Sequence, residues 1–328
     1  MSACRAFASC LAALLAVLPA SPVVGEQRAG DGHPTAPKVA IYVSAHPDDW
    51  QLFMNPPAFD DAVQPGTRIV IVYVTAGDGG QGVGTGGRRH PFYLARERGA
   101  EDAVRFMADV DGLPARAIET RPVVNGHAIR RVEYRDTTSY FLRLPDGNLT
   151  GSGYARTGRQ SLQRLADGAI GELQAIDGST AYRGWGDLVA TLRRLVDLER
   201  AGGGQLALHL PDGDPVRNAG DHSDHLLAGR AMLEAASGLT CAERNYYVDY
   251  ASAKLPENLE ASRRDLKAAV FAVTAAGIRA MDHTTNWRWY RSAYLGRSYR
   301  RTEPASGPCS EPAARDAFAH RPVGATVP

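Results

Sequence analysis

Cysteine is scarce in this chain, with four residues in 328, too few for a disulfide scaffold of that length. An excess of one charge is lacking as well. Thirty-seven Lys+Arg stand against 36 Asp+Glu for a formal net charge of +1, which argues against a nucleic-acid or polyanion binder. The apolar run Leu11–Leu18 falls short of the roughly 20 residues a bilayer-spanning helix needs, and no later segment comes closer. The Gly-rich stretch 77–87 lacks the G-x-x-x-x-G-K-[ST] pattern of a P-loop and the spacing and acidic partner of a dinucleotide fingerprint. There is no C-x-x-C pair and no internal repeat. Apolar residues at 44% and charged residues at 22% fit a soluble globular enzyme or binding domain.

The first 25 residues have the pattern of a secretory signal. Arg5 is their sole charge, the apolar run follows, and small residues offer cleavage after Ala20 or Gly25. The expected location is therefore secreted or periplasmic. Export would remove Cys4 and Cys10 and leave Cys241 and Cys309, a pair expected to bridge in an oxidising compartment. Residues 26–37 are polar and rich in Pro and Gly, and read as a flexible leader.

A domain is expected over 38–302, with a loosely packed tail over 303–328. The runs 38–44 (KVAIYVS) and 68–75 (RIVIVYVT) predict buried strands, and 94–107 carries helical spacing. Alternation over 115–145, with a tight turn at Asn125-Gly126, predicts a β-rich insertion that extends to about 184. Further on, the pattern gives a helix over 187–200 and a strand over 205–210. A helix over 226–236, a strand over 246–251 and a helix over 258–278 follow. The order predicts an α/β fold of Rossmann-like, three-layer type with a mainly parallel sheet.

Two segments concentrate His and Asp at predicted strand ends: Ala45-His46-Pro47-Asp48-Asp49 and Asp221-His222-Ser223-Asp224-His225. Ligands of open α/β sheets bind at the carboxyl ends of the strands, so both segments lie where a metal site is expected. One could supply His46 and a carboxylate and the other a His. An Asp would be left beside a metal-activated water as general base. Imidazole donors suit zinc, or iron(II), better than magnesium. Asp221 or Ser223 could equally be a helix cap.

With these residues the chain resembles the PIG-L/LmbE-like zinc-dependent N-deacetylases, whose signature joins A/P-H-P-D-D after the first strand to a later H-x-D-H. Thr75-Ala76-Gly77-Asp78 and Arg98-Gly99-Ala100-Glu101 match two further segments of that family. The resemblance covers about residues 38–110 and 205–250. It implies that His46, Asp49 and His225 bind the metal and that Asp48 is the general base. It also implies that His222 stabilises the oxyanion or protonates the leaving amine, with Asp224 holding its ring, and that Arg98 faces the substrate. Trp50 stands where the family has Glu, which would alter the pocket wall or the support of the ligands.

The implied function is removal of an N-acetyl group from an amino sugar, glycoconjugate or related N-acetylated compound. The partner would be that small molecule or glycan, with no nucleic acid and no membrane span; the sequence carries no signal for oligomeric state. Removal of a longer acyl chain, or non-catalytic carbohydrate binding on the same fold, are the alternatives. Trp287, Trp289, Tyr290 and Tyr294 would form either a sugar-stacking platform or core packing.

Overall fold

The structure is a computed structural model that describes residues 38–110, 112–201 and 204–308. The expected signal, the leader, Cys309 and the rest of the tail beyond it lie outside those residues. In chain order the elements begin with β1 (Lys38–Ser44), α1 (Asp49–Phe53), α2 (Pro57–Val63), β2 (Thr67–Thr75) and α3 (Phe92–Ala108). Then come β3 (Ile118–Thr120), β4 (Val123–Val124), β5 (His127–Ala128), β6 (Arg130–Tyr134), β7 (Thr137–Leu144) and α4 (Leu162–Ala166). Next are β8 (Leu173–Gln174), β9 (Ala181–Tyr182), α5 (Trp185–Glu199), β10 (Gln205–Pro211) and α6 (Ser223–Ala235). The last are β11 (Ala242–Tyr247), α7 (Ala261–Ala280), α8 (Trp287–Ala293) and β12 (Arg300–Glu303).

Eight strands form one sheet in the order β12-β11-β10-β1-β2-β7-β6-β3. The five from β11 to β7 run parallel, and β12, β6 and β3 are antiparallel additions at the two edges. Strand periodicity explains the layers. Val39, Ile41 and Val43 of β1, with Val70, Val72 and Val74 of β2, face the apolar side chains of α4, α5 and α6. Their alternates Ala40, Tyr42, Ile69, Ile71 and Tyr73 face those of α1, α3 and α7. Both faces are covered, so the parallel strands read as continuous apolar runs. The result is the expected three-layer α/β sandwich.

Three expectations change. The stretch expected as a β-rich insertion, 115–184, contributes β3, β6 and β7 to the main sheet, where β7 pairs parallel with β2. The strand expected over 246–251 runs instead over 242–247, and its last expected residues turn into a 3-10 segment, Tyr250–Lys254. β12 ends inside the segment expected to be tail, where it pairs with β11 through Glu303 and Arg244.

α3 lies close against α7 because both helices carry glycine at the contact. A Cβ on Gly99 would come within 2.5 Å of the Thr274 carbonyl, and one on Gly277 within 2.8 Å of Gly99 Cα. Gly99 of the Arg-Gly-Ala-Glu segment thus sets the position of a whole helix. Cys241 is buried and disulfide-bonded.

Candidate metal centre

β1 and β10 are neighbours, and the chain leaves their carboxyl ends through the two His/Asp segments. After β1, Pro47 and a tight turn place His46 and Asp49 on the same side. The His46 amide donates to Asp49 Oδ2 at 2.6 Å, and the Asp49 amide donates to the His46 carbonyl at 3.3 Å. After β10, His222 caps α6: its Nδ1 accepts from the Asp224 amide at 3.1 Å. His225 follows in the first turn and is fully buried.

Three expected ligands meet here. His46 Nδ1 lies 3.1 Å from His225 Nε2. Asp49 Oδ2 lies 3.3 Å from that His46 nitrogen, and Asp49 Oδ1 lies 3.3 Å from His225 Nε2. The outer nitrogens are engaged elsewhere. His225 Nδ1 is 2.9 Å from Asp221 Oδ1, and His46 Nε2 is 3.3 Å from Asp224 Oδ2. In the neutral rings these carboxylates fix the protons on the outer nitrogens. Two lone pairs and a carboxylate then face one another inside a buried space, and nothing among them donates. That donor set, two imidazoles and one carboxylate, fits a zinc ion.

The charge pattern says the same. Burial alone would lower the pKa of His46, but the Asp49 carboxylate outweighs it and raises the group to about 10. His225 is likewise opposed by burial and raised by Asp49 and Asp221. Burial would raise Asp49, but His225 and His46 hold it well below the carboxylate range. The space therefore demands positive charge, either as protons or as a cation that replaces them.

Asp48 receives the Arg96 guanidinium of α3, which also donates to the Gly77 carbonyl at 2.8 Å. Gly77 has to be glycine. Its φ is +53°, and a Cβ there would lie 2.6 Å from Arg96 Nη1 and 3.1 Å from His46 Cβ. Asp78, next to it, accepts from the amides of Asp146 and Gly82 at 2.9 and 2.7 Å. The Gly-rich loop is further tied by Gly79 to Asp146, by Arg88 to the Asp282 carbonyl, and by His283 to the His90 carbonyl.

Arg98 stands elsewhere. Its side chain is half exposed and pairs with Asp102 along α3. Two residues along a helix turn the side chain by about 200°, so Arg96 and Arg98 cannot share a face. Asp224 also differs from expectation. Its carboxylate is 3.8 Å from His222 Nδ1 but bonds His46 Nε2 and accepts the Gly147 amide at 2.9 Å. The backbone of Asp224, not its side chain, orients the His222 ring. Trp50 leaves the pocket entirely: it is fully buried in the core and donates from Nε1 to the Tyr73 hydroxyl at 2.9 Å. Trp287 stacks on Phe271 and Tyr294 on Tyr250, so these two are packing residues. Trp289 remains half exposed, and Tyr290 is partly buried in the field of Asp48.

Sequence reasoning passed over Asp146, Arg96 and Asp249. Asp146 lies two residues beyond β7 and stands 3.6 Å from His222 Nε2, and Asp249 lies two residues beyond β11 and stands 3.4 Å from His225 Nδ1. Both lie at carboxyl ends of sheet strands, which is the signal that marks them.

No family model matches the chain, and no curated protein matches it. Among solved structures it is similar to the N,N'-diacetylchitobiose deacetylase from Pyrococcus horikoshii, with 14% identity and a TM-score of 0.44, over 82% of this chain and 85% of that one. It is also similar to GalB, the 4-carboxy-2-hydroxymuconate hydratase from Pseudomonas putida KT2440, with 15% identity and a TM-score of 0.38, over 77% of this chain and 82% of that one.

Proposed function

We propose that the chain is a PIG-L/LmbE-like, zinc-dependent N-deacetylase that acts after export on an amino sugar, a glycoconjugate or a related N-acetylated compound. The observation that supports this most is the inward-facing triplet of His46 Nδ1, His225 Nε2 and the Asp49 carboxylate, with the Asp48 carboxylate adjacent in the chain. His46, Asp49 and His225 would hold the ion; iron(II) is the other metal this donor set accepts. When bound, the metal supplies Lewis acidity, which polarises the amide carbonyl and acidifies water.

The remaining work falls to side chains. Asp48 is the base that takes a proton from the attacking water and returns one to the departing amine, so that amide and water become acetate and free amine. Arg96 holds Asp48 in place from one side. His222 has Nδ1 occupied by the Asp224 amide, so its proton sits on Nε2. In the metal-free chain burial first, and then the protonated His46 and His225 rings, lower its basicity, so the ring is neutral. A neutral N–H donor is suited to receive the developing oxyanion. The Asp146 carboxylate lies 3.6 Å from the same nitrogen.

The reading is tested by metal analysis and acetate release. The purified mature chain should carry about one zinc per chain. It should free acetate from at least one member of a panel of N-acetylated sugars and glycopeptides, lose that activity to a chelator and regain it with zinc. Metal-loaded protein that frees an amine from no N-acyl compound would end the hydrolase reading. Release of longer acids in preference to acetate would move it to amidase chemistry.

A further inference from the structure

Behind His225 the ring nitrogen Nδ1 meets two carboxylates rather than one, with Asp221 Oδ1 at 2.9 Å and Asp249 Oδ2 at 3.4 Å. A single N–H cannot satisfy both. Asp221 is well served without it: its Oδ1 also accepts the amides of His222 at 2.8 Å and Tyr250 at 3.3 Å. Asp249 is not served. It is completely buried, and neither of its carboxylate oxygens has a hydrogen-bond partner. The buried ammonium of Lys267 donates to the carbonyls of Tyr294 and Arg297, and no hydrogen bond from it reaches the Asp249 carboxylate.

The backbone nevertheless grips Asp249 from both sides. Its amide donates to Asn218 Oδ1 at 2.9 Å, and its carbonyl accepts from the Ser252 amide at 3.0 Å and the Ser252 hydroxyl at 2.6 Å. The chain thus holds a carboxylate rigidly where it lacks solvent and donors, an arrangement that is costly on its own. The cost is offset if positive charge enters on the far side of the imidazole, where Nε2 faces His46 and Asp49.

We propose that Asp249 is a positioning residue whose carboxylate, set behind the His225 ring without a hydrogen bond, strengthens the hold of the His46/Asp49/His225 triplet on a divalent cation at the expense of the metal-free fold. Asp221 fixes the ring by hydrogen bonding, and Asp249 acts through charge. The inference rests on the metal site proposed above and names a residue outside both His/Asp segments. Carboxylates that support metal-bound imidazoles change metal affinity by about 10- to 100-fold when removed.

The test is Asp249→Asn in the mature chain, with two readouts. Zinc affinity is measured by competition with a chromophoric chelator, and thermal unfolding is measured on chelator-treated protein. The expected result is zinc binding weakened about 10-fold or more, together with a metal-free melting temperature equal to or above that of the parent. A structural role would lower the melting temperature, whereas a charge held for the cation would not. Affinity within about twofold of the parent overturns the inference, and so does a lower metal-free melting temperature. Failure of the parent chain itself to bind zinc would instead overturn the metal site. Asp221→Asn is the comparison, and it should weaken zinc and lower the metal-free melting temperature together, since three donors lose their acceptor charge.

Discussion

The Arg96 guanidinium bridges the Asp48 carboxylate and the Gly77 carbonyl, and so joins the turn after β1 to the loop after β2 across the first turns of α3. Arg96 is mostly buried, and the opposite charge of Asp48 outweighs burial and raises its pKa further above the usual arginine range. It stays charged at any working pH. Asp48 therefore has one permanent cation to hold its orientation, and α3 is held in register by the glycine contact with α7.

Replacement of Arg96 by Ala should lower kcat by on the order of 100-fold, because a base displaced by about 1 Å loses that much. The zinc content should not change. Arg98→Ala should leave kcat within about twofold and stability within about 0.5 kcal/mol, since its own side chain is half exposed. Steady-state kinetics on the two variants decide between them. Equal losses would return Arg98 to the site.

Asp48→Asn removes the base but none of the triplet. The expected loss is about 10²- to 10⁴-fold in kcat with metal stoichiometry unchanged. Metal analysis on the same preparation separates a lost base from a lost ligand. A variant that loses its zinc would make Asp48 part of the coordination.

Gly77→Ala puts a Cβ into the Arg96 guanidinium at a residue with φ of +53°. The backbone strain should cost about 1–2 kcal/mol of stability. Activity should fall by more than that loss of folding implies, because Arg96 has to shift away from Asp48. Thermal unfolding and kcat measured on one sample test both halves of the expectation.

Lys267, which is not among the proposed metal ligands, gives a pH signature of its own. Burial lowers it from 10.5 to about 7, opposed by Asp249 and assisted by Arg297. Between about pH 7 and 10.5 the unfolded chain holds a proton that the folded chain has released, so this residue makes stability rise with pH in that window. Its limiting slope is about 1.4 kcal/mol per pH unit, and below pH 7 the contribution vanishes because both states are protonated. Lys267→Met should flatten the unfolding free energy between pH 7 and 10 relative to the parent. An unchanged slope would show that the ammonium is not desolvated.

The two His/Asp segments and the parallel core were legible in the sequence for a simple reason. Buried strands such as KVAIYVS are apolar on both faces, and the residues that leave their ends are local in the chain. The short helices α1 and α2 were not legible, because five to seven residues carry too little periodicity. β7 looked like part of an insertion because alternation shows that a segment is a strand but does not show which sheet it joins.

By itself the sequence picked out the residues to which the proposed chemistry falls: His46, Asp48 and Asp49 after one strand, His222 and His225 after another. Tertiary structure decided how they share the work. Helical phase gave Asp48 to Arg96 instead of Arg98. Ring orientation gave Asp224 to His46 instead of His222. The end of β11 brought Asp249 behind a histidine 24 positions earlier in the chain. Each of these depends on direction in space at a scale of 3–4 Å, and sequence spacing alone does not carry direction at that scale.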